Sequence, residues 1–235
     1  ISGGARGMGA CEARLFAAEG ARVVVGDVLG AEGEELAVEI NETGGECLFV
    51  ELDVTSQTQW DSSVAATVQR FGRLDILVNN AGVASDRCAL EEVTPAMFER
   101  SMRVHLGGTI FTTQAVLPGM KQRQRGAIVN LSSIQGQVGY PNGATYNAAK
   151  GGVLALTTGW AKELAPWKIR VNAVAPGHCL TPMPLQFDSP EVIAKKAGIN
   201  LGGCGIAELK HLAASGTPDV AAMAKYMFCL LYTSD

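Results

Sequence analysis

No stretch of this sequence stays apolar for long enough to cross a membrane, so nothing in it asks for a bilayer. Positive charge is not in excess either. The 19 Lys and Arg set against 23 Asp and Glu leave a formal net charge of −4, which gives no basic patch for nucleic acid. Cys11, Cys47, Cys88, Cys179, Cys204 and Cys229 are scattered, with no C-x-x-C pair and no histidine spacing suited to zinc. They read as free buried thiols of a reducing compartment, and no metal is expected. Internal repeats and low-complexity tracts are missing as well. Apolar residues make up 47% of the 235 and charged ones only 18%, which is the composition of a globular domain with a generous core. The expectation is one domain over residues 1–235, a cytoplasmic enzyme acting on a small molecule.

Apolar runs alternate with helical patterns, which predicts an α/β fold with a parallel sheet covered on both faces. Helices are expected over Gly7–Glu19, Ala31–Thr43, Gln57–Phe71 and Thr145–Leu164, with Thr94 starting a segment that runs into a long helix ending near Arg123. Strands are expected at Ala21–Val25, Cys47–Leu52, Leu74–Asn79, Ala127–Leu131 and Ile169–Val174. Leu180–Thr217 has no single period; it reads as a substrate lid with short helices. Pro218–Phe228 reads as a helix.

The glycines at Gly3, Gly7 and Gly9 allow a tight turn into a helix whose N-terminus faces a pyrophosphate. About twenty residues on, after a hydrophobic strand, stands Asp27, where a carboxylate bonds the adenosine ribose and repels a 2′-phosphate. With Val28 beside it the expected cofactor is NAD. Arg6 in the loop is the feature that would favour NADP. Further along, Tyr146 and Lys150 stand four apart on one helix. That spacing sets an ammonium beside a phenol and favours its ionised form, as a group trading protons near neutral pH needs.

Ser2–Gly9, Asp53-Val54, Asn79-Asn80-Ala81-Gly82, Ser132-Ser133, Tyr146-Asn147-Ala148-Ala149-Lys150 and Pro176-Gly177 occur in one order along the chain. In this the sequence resembles the classical short-chain dehydrogenases/reductases, and within them bacterial NAD-dependent hydroxysteroid dehydrogenases. The resemblance implies a Rossmann-type doubly wound sheet of order 3-2-1-4-5-6. It assigns Tyr146 as acid/base, Lys150 as its partner and ribose ligand, and Ser133 as hydroxyl donor to the substrate oxygen. For the cofactor it implies Gly3, Arg6, Gly7, Met8, Gly9, Asp27, Val28, Asp53, Val54, Asn80, Ala81, Gly82, Pro176, Gly177, His178 and Thr181, with Asn79 tying strands together. His105 stands where the family usually has Asn, whose backbone carbonyl binds a water in a proton relay; it reads either as a structural substitute or as a relay member.

The implied reaction interconverts a secondary alcohol and a ketone, an apolar substrate such as a hydroxysteroid being favoured. A 3-oxoacyl thioester reductase and a non-catalytic nucleotide-binding fragment are the alternatives. A homotetramer is expected. Both ends read as cut: Ile1 directly precedes the glycine loop, so most of a first strand is expected to be missing, and Cys229–Asp235 reads as non-native, with no final strand after it.

Overall fold

The computed structural model describes residues 1–179 and 181–196. The expected helix Pro218–Phe228, the tail Cys229–Asp235 and most of the expected lid lie outside the described residues. The elements in order are α1 (Gly7–Ala18), β1 (Arg22–Asp27), α2 (Gly30–Glu42), β2 (Glu46–Glu51), α3 (Gln57–Phe71), β3 (Ile76–Asn79), α4 (Pro95–Ser101), α5 (Gly108–Arg123), β4 (Gly126–Leu131), α6 (Ile134–Val138), α7 (Ala144–Leu164), β5 (Ile169–Val174) and α8 (Pro190–Lys196). Local chemistry explains several boundaries. In α3, Trp60, Ser63, Thr67 and Phe71 are buried at helical spacing, and Gly72 ends the helix at φ +82°, donating its N–H to Val68. At α4, Thr94 Oγ1 accepts from Met97 N at 3.3 Å and Pro95 takes the first helical position.

All strand pairs are parallel. β1 pairs with β2, and β3, β4 and β5 follow in that order. Between the two groups runs only the start of the chain. Ser2 bridges Gly26 of β1 on one side and Asn79 of β3 on the other. The sheet therefore has the doubly wound order, with a two-residue stub in its central place. Ile1 N donates to Val24 O at 2.8 Å, while Gly26 N donates to Ile1 O at 2.9 Å.

Two apolar clusters hold the halves. Ala10, Ala13 and Ala17 of α1 and Leu36 and Ile40 of α2 pack on Val23 and Val25. Val116 and Met120 of α5 and Leu164 of α7 pack with Leu77, Ile128, Ile169 and Val171. The expected run from Thr94 to Arg123 is not one regular helix. α4 passes into a π-helical turn, Met102–Gly107, before α5 begins. The extra residue in that turn carries His105 into the interior, where it is 1% exposed. No helix among the described residues is long and apolar enough to cross a membrane.

Candidate active site

The turn from the stub into α1 is built on close approaches that only glycine permits. Gly3 and Gly7 have φ of +63° and +61°, the left-handed region. A Cβ on Gly9 would lie 2.3 Å from the Gly3 carbonyl oxygen, and one on Gly3 would lie 2.6 Å from Ala81 Cα. Backbone thus meets backbone, and Asn80 fastens the junction by donating from Nδ2 to Ser2 O at 3.0 Å and Gly3 O at 2.8 Å. Over this junction opens a groove of about 420 Å³ lined by Gly3, Arg6, Gly7, Met8, Asp27, Val28, Asp53, Val54, Asn80, Ala81, Gly82 and Thr181. The groove, the bare helix N-terminus and the glycine clearance fit a dinucleotide.

Asp27 closes one end of the groove. Its Oδ2 accepts from Ala5 N–H at 3.0 Å and its Oδ1 from Leu29 N–H at 3.1 Å, so the carboxylate also braces the glycine loop. Asp53 Oδ1 accepts from both the N–H and the hydroxyl of Thr55, each at 2.8 Å. Asn79 faces away from the groove: Nδ2 donates to Thr113 Oγ1 and Asn130 Oδ1, while Oδ1 accepts from Thr112 Oγ1. It joins β3 to β4 and α5, as the sequence suggested. At the far end Pro176 O accepts from Ile134 N at 3.0 Å, and the His178 ring stands 6.0 Å from that of Tyr140.

Ser133, Tyr146, Lys150 and His105 come together beside this groove. The two serines at the end of β4 turn to different tasks. Ser132 Oγ donates to Lys150 O at 2.8 Å and is structural. The Ser133 hydroxyl caps α6, accepting from Gln135 N at 3.1 Å, and bonds the Tyr146 phenol. Lys150 is 5% exposed; its Nζ donates to Leu131 O at 2.7 Å and stands 5.8 Å from the Tyr146 ring centre.

The electrostatics differ from what the Tyr-Lys spacing suggests. Burial pushes the Tyr146 phenol up from its ordinary value, the Ser133 hydroxyl pulls it back in part, and the Cys179 thiol adds to the rise. Burial also brings Lys150 down to about 8. Desolvation is the largest cause for both groups, and the ammonium donates to a strand carbonyl, Leu131 O.

His105 lies under both. Its ring meets that of Tyr146 edge to face, with centres 5.1 Å apart at 89°. Its Nε2 is 3.1 Å from Val83 O, and its Nδ1 is buried without a partner. Burial first, then the Lys150 charge, hold it well below the usual imidazole value, so it is neutral.

Some of the site escaped the sequence reading. A Cβ on Gly136 would lie 2.6 Å from Lys150 C and 2.8 Å from Gly151 N, so α6 crosses α7 backbone to backbone beneath the lysine. The glycines at 136 and 151 were the available signal. Arg87, after β3, pairs with Asp188 at 2.8 Å and lies 4.6 Å over the Phe187 ring, joining the loop on one side of the site to the residues before α8 on the other. No local pattern announces a contact across a hundred residues. Among the described residues no group of histidine, cysteine and acidic side chains could hold a metal.

These features agree with what known proteins share with the chain. Over 189 residues it is 47% identical to the trans-4-hydroxycyclohexanecarboxylate dehydrogenase of Sinomonas cyclohexanicum, covering 78% of this chain and 72% of that one. It is 43% identical over 183 residues to the 3-alpha-(or 20-beta)-hydroxysteroid dehydrogenase of Mycobacterium tuberculosis, covering 78% and 69%. Among solved structures, a 3-ketoacyl-(acyl-carrier-protein) reductase from Brucella melitensis complexed with NADH superposes with a TM-score of 0.74 at 37% identity, covering 79% and 76%. A metagenomic short-chain oxidoreductase in complex with NADP gives 0.72 at 33% identity, covering 78% and 83%. The short chain dehydrogenase family profile matches residues 1–191. With its glycine turn, dinucleotide groove and Ser133-Tyr146-Lys150 cluster in place, the chain belongs to the short-chain dehydrogenase family, oxidoreductases that act on alcohols and ketones with a nicotinamide cofactor.

Proposed function

We propose that this chain oxidises a secondary alcohol on a saturated ring to the ketone, with NAD as the hydride acceptor, and catalyses the reverse reduction. The observation that carries the reading is the convergence of Ser133, Tyr146 and Lys150 beside the dinucleotide groove. A nicotinamide dinucleotide held along Gly3, Gly7, Asp27, Asp53 and Asn80 would supply the acceptor for the hydride of the carbinol carbon. The Tyr146 phenolate takes the hydroxyl proton, Ser133 donates a hydrogen bond to the same oxygen, and the Lys150 charge favours the phenolate over the phenol. Ring alcohols are favoured because the names of the two curated relatives each contain a hydroxyl on a carbocycle. The exposed Val138, Tyr140 and Phe187 beside the site support an apolar substrate.

NAD is favoured over NADP by the Asp27 carboxylate at the ribose end of the groove, next to the uncharged, exposed Val28. Asp27→Ala should move preference toward NADP; higher kcat/KM with NADP in the parent would sink this assignment. Tyr146→Phe should lower kcat by at least about a hundredfold with NAD affinity kept. A panel of cycloalkanols, hydroxysteroids and 3-oxoacyl thioesters, followed by nicotinamide absorbance, tests the substrate class. The thioester reading draws on the likeness to the Brucella reductase, and faster turnover of the thioester would establish it. The protein is proposed to act as a homotetramer through α5 and α7, where Phe111 is 43% exposed. A monomeric mass by sedimentation would defeat that.

A further inference from the structure

Two contacts cross from the body of the fold to the segment that follows β5. That segment passes the catalytic cluster, with the Cys179 thiol close enough to act on the Tyr146 phenol. On one flank the His178 ring meets the Tyr140 ring, centres 6.0 Å apart and planes at 56°. On the other, Arg87 from the loop after β3 pairs with Asp188 at 2.8 Å and lies 4.6 Å over the Phe187 ring.

The Tyr140 wall is itself braced. Asn147 Nδ2, on α7 next to Tyr146, donates to Tyr140 O at 2.8 Å, and Gly139 N donates to Gln135 O at 3.1 Å. Gly143 ends this loop so close to α7 that a Cβ on it would lie 3.1 Å from Asn147 Oδ1 and 3.3 Å from Gln135 Oε1. Tyr140 therefore cannot fall back without giving up bonds to the helix that carries Tyr146. Two aromatic rings in contact have centres about 4.5–7 Å apart, so Tyr140 and His178 touch with nothing between them. A substrate ring lying between them would part the centres to about 9 Å or more, twice the shortest of those spacings.

We propose that the Tyr140–His178 contact is a size filter, which admits alcohols of a single saturated ring and turns away fused multi-ring alcohols such as hydroxysteroids. The Arg87–Asp188 pair holds the opposite flank of the same segment. This narrows the ring-alcohol reading above and rests on it. Tyr140 and His178 determine specificity here and exchange no proton with the substrate. A fused skeleton seated with its carbinol at Tyr146 reaches past the rim, so the ring pair is parted in the transition state as well as in the bound complex. The discrimination is therefore read in kcat/KM.

The test is a size series on the parent with NAD: cyclopentanol, cyclohexanol, a decalinol of two fused rings, and a 3α-hydroxysteroid. kcat/KM should be similar for the first two and fall about tenfold at the decalinol, the upper worth of such a ring pair, and the steroid should be no better. Tyr140→Ala, which removes one ring, should raise kcat/KM for the steroid relative to cyclohexanol about tenfold. Tyr140→Phe, which keeps the ring, should leave that ratio as it is in the parent. A parent that uses the steroid as well as cyclohexanol, a ratio unmoved in Tyr140→Ala, or one moved equally in Tyr140→Phe overturns the proposal. The series on the parent decides the matter even where the alanine variant does not fold. Absence of turnover across the whole series is failure of the functional reading, and the proposal falls with it; a reversed order among alcohols that are turned over is failure of the filter alone.

Discussion

Lys150 shows how a residue chosen for chemistry burdens the fold that holds it. Its ordinary value is 10.5 and in the folded chain it is about 8, so between those values the unfolded chain binds more protons than the native one. Stability therefore rises with pH across that window, and below it the protein carries a buried ammonium. Lys150→Met removes this titration. The unfolding free energy of the parent, relative to the variant, should climb by about 3 kcal/mol from pH 8 to 10.5 in parallel denaturant titrations; a flat difference would contradict it. Gly136→Ala tests the support beneath the lysine. Because the obstructing atoms are backbone, α6 and α7 must part, and a loss of about 1–3 kcal/mol with reduced kcat is expected by thermal unfolding and steady-state assay. At this scale the sequence was informative about which residues meet, since Tyr146 and Lys150 share a helix face. It was silent on their proton affinities. Burial of both groups is set by β4 and the π-helical turn, neither of which their local spacing describes.

Among the elements, the boundaries of α3 and β5 were legible to the residue, the first because Gly72 stops it and the second because Ile169, Val171 and Ala173 alternate with less buried positions at strand period. The break before α5 was not legible. The π-helical turn ends in Gly107-Gly108, but that pair marks no stop, because helix continues on both sides of it with φ of −58° and −52°. The loop after β3 and the segment before α8 are held by Arg87, through an ion pair partly open to solvent and a ring contact. Such a pair adds little to global stability, about 0–1 kcal/mol. Its effect should be local. Arg87→Ala should speed hydrogen exchange of the described segment 181–193 and raise the KM for alcohol a fewfold, with an unfolding midpoint within about 1–2 °C of the parent. A lowered kcat with unchanged exchange would place Arg87 in the chemistry instead.

The whole molecule was legible as a doubly wound sheet from alternating elements and the glycine turn, and the likeness to known family members bears that out.

The dinucleotide groove lies across the middle of that sheet: Asp27, Val28 and Asp53 stand on the β1–β2 side, and Asn80, Ala81 and Gly82 follow β3 on the other. A ligand lying in it works as a clasp. Part of its binding free energy then goes into holding the two sides together, so the cofactor is a structural member of the sheet as well as a reagent. Amides at the junction, Ser2 and Gly26 above all, should become the most strongly protected from exchange when NAD is added, ahead of those in the helices that touch it.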